Sequence, residues 1–277
     1  MTQQTVSRAF DYAPDALAKL WPRLHQGDCE PFPDAAWVEQ ITAAHPALAA
    51  KLAPDAASAA LQQAWRAYHR GDFAEATTLG TELGLLGYNA ANKAANIQAT
   101  YIEQDEERKL AMLVATTRRA ETLQAAAPDL ANAWYFHAQA VGRYSQAISI
   151  TRALAEGLAG KVRHGLERAL ALAPNHAEAH IAFGAFHAEI VAKVGALLAR
   201  LTYGASREAA LHHYTEAMRL IPHSAIARIE YAQGLVRLFG RERLAEAKQL
   251  YSEASACAAS DEMERLDAAF AAESLSS

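Results

Sequence analysis

Apolar residues recur along this chain at helical spacing rather than in alternation, and the pattern is cut at intervals by proline followed by a polar residue. The marks are Pro14-Asp15, Pro33-Asp34, Pro54-Asp55, Pro128-Asp129, Pro174-Asn175 and Pro222-His223-Ser224. Proline ends one helix, and Asp, Asn or Ser accepts the orphan N–H groups that open the next, so each mark is expected to start a new helix pair. The segments before the last three marks, RAETLQAAAPDL, RALALAPNH and AMRLIPHS, close alike, which is the signature of a repeat. Pro128 to Pro174 and Pro174 to Pro222 are 46 and 48 residues apart. The connecting stretches, such as VAKVGALLARLTYG, hold no proline and keep the helical pattern, so lengthened helices are expected there.

Composition narrows the class. Ala supplies roughly a quarter of the 277 residues, while Val and Ile together number only eighteen and are scattered. Ala is the best helix former and a poor strand former, so the chain reads as all-α. A net charge of −5 argues against nucleic acid as a partner, and Glu242 and Glu246 interrupt the basic cluster of Arg237, Arg241 and Arg243. The opening MTQQTVSRAFDYAPDALAKLW shows no leader pattern, and Asp11 and Asp15 break a transit-peptide reading, so a cytoplasmic location is expected. The longest apolar run carries His187, Glu189, Lys193 and Arg200 and is not a membrane span. Cys29 and Cys257, at opposite ends, imply neither a disulfide framework nor a zinc site.

The stretch RALALAPNHAEAHIAFGAFH resembles the junction between two tetratricopeptide repeats, where an Ala-Leu pair and a proline close one unit and a small residue at the eighth position of the next lets two helices approach. In the unit opening at Ala131, Trp134 and Ala138 stand at the fourth and eighth positions. In the unit opening at Ala177, His180, Phe183 and Gly184 stand at the fourth, seventh and eighth. The unit opening at Ala225 has Tyr231 and Ala232, then Ala247, Tyr251 and Ala254 in its second helix, and RGDFAEA from Arg70 to Ala76 matches the turn inside an earlier unit. The resemblance covers residues 57–260 and implies a right-handed α-solenoid of about four to five antiparallel helix pairs, two of them lengthened. The stretch GAFHAEIVAKVGALLARLTYGASREAALHHYTEAMRLIP more closely resembles bacterial relatives of the regulator-of-microtubule-dynamics family, which are built with such elongated helices. Residues 1–56 match no unit and are expected to form capping helices near 14–24 and 34–50, packed on the first repeat. Residues 261–277 are expected to form a closing helix that starts at Ser260 or Asp261 and carries Met263, Leu266 and Phe270 on one face.

Catalytic signatures are absent: no HExxH, no GxSxG, no glycine-rich phosphate loop and no paired Glu-x-x-His. His176, His180 and His187 lie at helical spacing and could in principle converge on a metal, but His176 falls at a helix start and His180 at an aromatic packing position. Of His212 and His213, about 100° apart on a helix, one is expected to pack and the other to stay wet. No metal or cofactor is therefore expected.

A polar row is more promising. Asn89, Asn92 and Asn96, with Lys93 beside them, recur at spacings of three and four in GYNAANKAANIQATY, although Asn weakens a helix relative to Ala. The same register in the next first helix presents Asn132, Tyr135, Gln139 and Arg143. The tetratricopeptide resemblance places such residues on the concave groove, where amides hold an extended peptide and Asn with basic residues can clamp an acidic tail. The plainer alternative is that the Asn face is solvated or bridges to a neighbouring helix. The expected function is a non-enzymatic scaffold for a protein or peptide partner. Two alternatives stand beside it: self-assembly, as a homodimer, through Val191, Val194, Leu197, Leu198 and Leu201, and a metal protein using the three histidines.

Overall fold

The structure, a computed structural model, describes residues 10–276; residues 1–9, part of the expected N-terminal cap, and residue 277 lie outside the described residues. Every regular element among the described residues is helical. The chain divides into two compact units, one holding residues up to His25 and Glu30–Lys161, the other Gln26–Cys29 and Val162 onward.

In the first unit α1 (Pro14–Leu24) and α2 (Ala35–Ala44) precede the pair α3 (Pro54–His69) and α4 (Phe73–Glu82), the pair α5 (Tyr88–Ile97) and α6 (Glu106–Ala126), then α7 (Ala131–Ala147) and the short α8 (Ile150–Ala155). Three residues join α3 to α4, which forces the two helices to run antiparallel. α9 (Leu158–Leu172) leads into the second unit. There α10 (Ala177–Val194) is followed by α11 (Ala196–Tyr203) and packs most extensively on α12 (Arg207–Leu220). The pair α13 (Ala225–Phe239) and α14 (Leu244–Ser255) comes next, and α15 (Glu262–Ser276) closes the chain.

The proline marks work in two ways. Asp34, His176 and Ser224 are true N-caps, accepting from the backbone N–H three residues on. At α1 and α3, however, Pro14 and Pro54 are themselves the first helical residue, behind the N-caps Ala13 and Ala53, and Asp15 and Asp55 sit in the first turn without capping. Proline suits that place because its missing N–H would have no partner there in any case. At the far end Asp261 Oδ1 accepts from Glu264 N at 2.8 Å while Glu264 accepts from Ser260 N at 2.7 Å, a reciprocal cap that starts α15.

The extra residues of the long unit do not simply extend α10. Gly195, at φ 81°, breaks the helix after Val194, and α11 runs as a separate short helix. A positive φ ends an α-helix and is open to glycine without strain. Trp21 of α1 packs edge-on against Trp65 of α3, and α2 also packs on α3, while Ile41 and Leu48 join an apolar cluster with Leu123 of α6 and Ala133 of α7. On α15 the seated residue is Ala271, packed with Ile229 and Ala254, whereas Phe270 stays 41% exposed.

Small residues set the helix spacing. Ala138, Ala169, Ala217, Ala232 and Ala254 are all buried, as the small-position reading requires. In the second unit the ring of Tyr214, on α12, is wedged between α10 and α13: a Cβ on Gly184 would lie 2.8 Å from it, and one on Gly234 closer still. Tyr214 also stacks on Tyr231 at 5.2 Å, while its hydroxyl is buried with no hydrogen-bond partner. Gly184→Ala and Gly234→Ala should each destabilise by about 1–3 kcal/mol, seen as a drop of several degrees in a thermal melt. Tyr214→Phe should leave the melt unchanged or raise it, since it removes a buried hydroxyl that bonds nothing. A neutral Gly184→Ala would show that the ring does not depend on that space.

Candidate functional site

The polar row is buried. Asn92 and Asn96 are wholly buried, and Asn89, Lys93, Asn132 and Tyr135 nearly so, with Gln139 and Arg143 half-buried. A buried amide must find partners, and most of these find them within the first unit. Asn96 Nδ2 donates to Gln139 Oε1 at 2.8 Å and to Phe136 O at 3.2 Å, tying α5 to α7. Asn92 Oδ1 accepts from Arg119 Nε of α6 at 2.9 Å. Lys93 places its ammonium 5.5 Å from the ring centroid of Tyr68. Tyr135 packs against Phe136, and Arg143 donates to Gln146 on its own helix. The bridging alternative thus describes Asn92 and Asn96 as the structure has them. Burial pushes the Arg119 guanidinium below its ordinary pKa, because the charged form loses hydration.

Asn89 and Asn132 meet on a residue the row itself does not contain. Asn89 Nδ2 donates to the two carboxylate oxygens of Glu30 at 3.4 and 3.1 Å, and Asn132 Nδ2 donates to Oε2. Glu30 is buried and lies in the non-helical stretch between α1 and α2. Hydrogen bonds to a charged group are each worth about 1.5–3 kcal/mol, so two amides on one carboxylate form a real clamp. An acidic group held by Asn from successive first helices is the chemistry expected of the groove, but the acid belongs to this chain. Nothing in the α5 pattern points to Glu30. Its only sequence signal is the proline-flanked Glu30-Pro31-Phe32-Pro33, which reads as extended backbone. Not all amide capacity is used: Asn89 Oδ1, Asn92 Nδ2 and Asn96 Oδ1 are buried without a hydrogen-bond partner.

The three histidines do not converge. His176 uses Nδ1 to cap α10, accepting from Ala179 N at 3.0 Å. His180 Nε2 bonds Pro174 O at 3.1 Å, so its Nδ1 is left as the acceptor and His213 Nδ1, 2.8 Å away, carries the proton. His187 and His213 both stack on Phe183, at 4.7 and 4.6 Å, while His212 is exposed. The cluster is therefore a packed aromatic group of neutral imidazoles. Burial, with the Arg163 charge adding to it and Glu167 opposing, lowers the His187 pKa to about 4. Burial and the neighbouring His180, His187 and His212 lower that of His213 to about 3.

No family model matches the chain, and no curated protein does. Among solved structures it is similar to a thermophilic TPR protein of Thermus thermophilus, at 19% sequence identity and a TM-score of 0.55, over 78% of this chain and 99% of that one. The fold is thus a tetratricopeptide-like all-α solenoid.

The histidine cluster predicts a pH dependence. Unfolded, His187 and His213 take up protons as pH falls through about 6.5, but folded they resist until about 4 and about 3. The unfolded state then binds more protons, so stability is lost as pH falls from about 6.5 towards 4. The urea midpoint should drop over that window, and His187→Phe should flatten the drop relative to wild type. An unchanged slope in the variant would show that His187 does not stay neutral when folded.

Proposed function

We propose that this chain is a non-enzymatic interaction scaffold that holds a protein or peptide partner along the first-helix faces of α5 and α7. The carrying observation is the buried amide row. Asn89 and Asn132 grip a carboxylate, and three further amide atoms of Asn89, Asn92 and Asn96 have donor or acceptor capacity that no protein group meets. Each Asn weakens its helix, and the bridges of Asn92 and Asn96 to Arg119 and Gln139 use only part of their amide capacity, so the atoms left over are the ones a polar chain would meet. The tetratricopeptide-like fold supports the reading, because stacked helix pairs build extended binding faces. Lys93, Tyr135, Gln139 and Arg143 flank the row and would complete the contact. Among the described residues no helix is long and apolar enough to cross a membrane.

A second reading, self-assembly, is favoured by α11. Leu197 and Leu201 are 75% and 76% exposed, and Leu198 is exposed beside them. Val191 is buried and Val194 half-buried, so only the leucines of the expected set project. Large apolar side chains grouped on one short helix are the usual mark of a contact surface.

Two experiments separate the readings. Affinity capture from the native host with cross-link mapping should place partner cross-links on α5 and α7, and Arg143→Glu should reduce recovery without shifting the melt. Cross-links confined to α11 would overturn the groove reading. Sedimentation should then show a concentration-dependent dimer that Leu197→Glu with Leu201→Glu converts to monomer, and a wild-type monomer at all concentrations would remove self-assembly.

A further inference from the structure

The non-helical segment Glu30–Pro33 is bound by the first unit much as a separate peptide would be. It takes no part in a helix, two of its four residues, Pro31 and Pro33, carry no N–H, and it is gripped at its carbonyls and side chains. Trp21 Nε1 donates to Glu30 O at 2.8 Å, and Ser58 Oγ and Gln62 Nε2 of α3 donate to Pro33 O at 2.7 and 3.1 Å. Phe32 sits edge-on to Trp21, with ring centroids 5.3 Å apart. The Glu30 carboxylate is gripped by Asn89 of α5 and Asn132 of α7. These contacts are made by side chains of the helical frame on a non-helical chain, with one acidic anchor at its start.

Packing alone does not call for this anchor. Burying a carboxylate carries a large desolvation penalty, and a well-packed apolar side chain commonly serves stability as well or better. The backbone that leads into the segment is also unfavourable: Cys29 holds φ 54°, the left-handed region that a non-glycine residue adopts only under constraint. A segment held by reversible polar contacts, entered through a strained residue and lying on the face expected to bind partners has the properties of an occupant rather than of a core.

We propose that Glu30–Pro33 is an internal competitor: it fills the site that α3, α5 and α7 offer to an extended partner segment carrying an acidic residue followed by proline, and such a partner binds by displacing it. This rests on the groove reading given above and goes beyond it by naming the resting occupant and the chemistry of the ligand. A tethered segment competes at an effective concentration in the millimolar range, so the intact chain shows only a fraction of its intrinsic affinity.

The test uses the full chain and a fluorescent, N-acetylated peptide copying residues 30–37, followed by fluorescence anisotropy. Wild type should bind it weakly. Glu30→Ala should bind it about tenfold or more tightly, because the internal competitor has lost its anchor. Adding Asn89→Ala and Asn132→Ala to that variant should abolish the gain, as should a peptide with its own Glu30→Ala change. Glu30→Gln, which keeps the packing and is checked for an unchanged melt, should bind severalfold more tightly than wild type, and it decides the matter if Glu30→Ala fails to fold. Equal peptide binding by wild type and the folded Glu30 variants, lost on Asn89→Ala with Asn132→Ala, would overturn the internal competitor and leave the groove standing. No binding by any folded variant would overturn both.

Discussion

Where helices of this protein meet at buried alanine and glycine, little more than a methyl group or a hydrogen stands between them, and the rest of the architecture depends on that closeness. Ala belongs to the apolar clusters that join one helix to the next in the second unit, as with Ala177, Ala217 and Ala227 between α10, α12 and α13. Close approach gains many weak dispersion contacts per helix and needs few bulky residues. Where a large side chain does enter, the opposing positions must yield, and Tyr214 fits because Gly184 and Gly234 both lack a Cβ.

The same closeness gives the polar row its character. In a thin layer between helices, an Asn side chain is sealed from water unless a neighbour meets it, so each amide becomes a specific bond rather than a solvated group. Gln139, Arg119 and Glu30 meet the amides of α5, each from a different element. The Glu30 carboxylate brings a charge into that layer, and its position is fixed by donors on two helices at once. The residues proposed to bind a partner are therefore also ones that hold the fold together. The chemistry that would hold a partner already holds a part of the chain.

The histidines show how one residue type serves different ends in different settings. His176 is a cap, His213 donates to His180, and His187 is a flat surface in a stack with Phe183. Spacing along a helix shows that two rings share a face. It does not show whether their nitrogens point to one place, because that depends on what the neighbouring helix offers: here His213 of α12 takes one nitrogen of His180 and Pro174 O the other.

Much of the fold was legible in the sequence. The alanine excess and the scarcity of Val and Ile required helices, because propensity is a property of each residue. The proline marks located the starts of α1, α2, α3, α7, α10 and α13, though not of α5, because a missing N–H and a fixed φ act locally. The small positions at Ala138, Ala217, Ala232 and Gly184 were visible for the same reason. The break at Gly195, the choice of Ala271 over Phe270 as the seat of α15, and the pairing of the Asn row were not. Glu30 stands 59 residues from Asn89 and 102 from Asn132, and no periodicity relates them. Local chemistry determined which helices form and where they start. Only the packing of distant segments decided which polar groups are buried together, because that depends on what lies across a few ångströms of space and not on what lies a few residues along the chain.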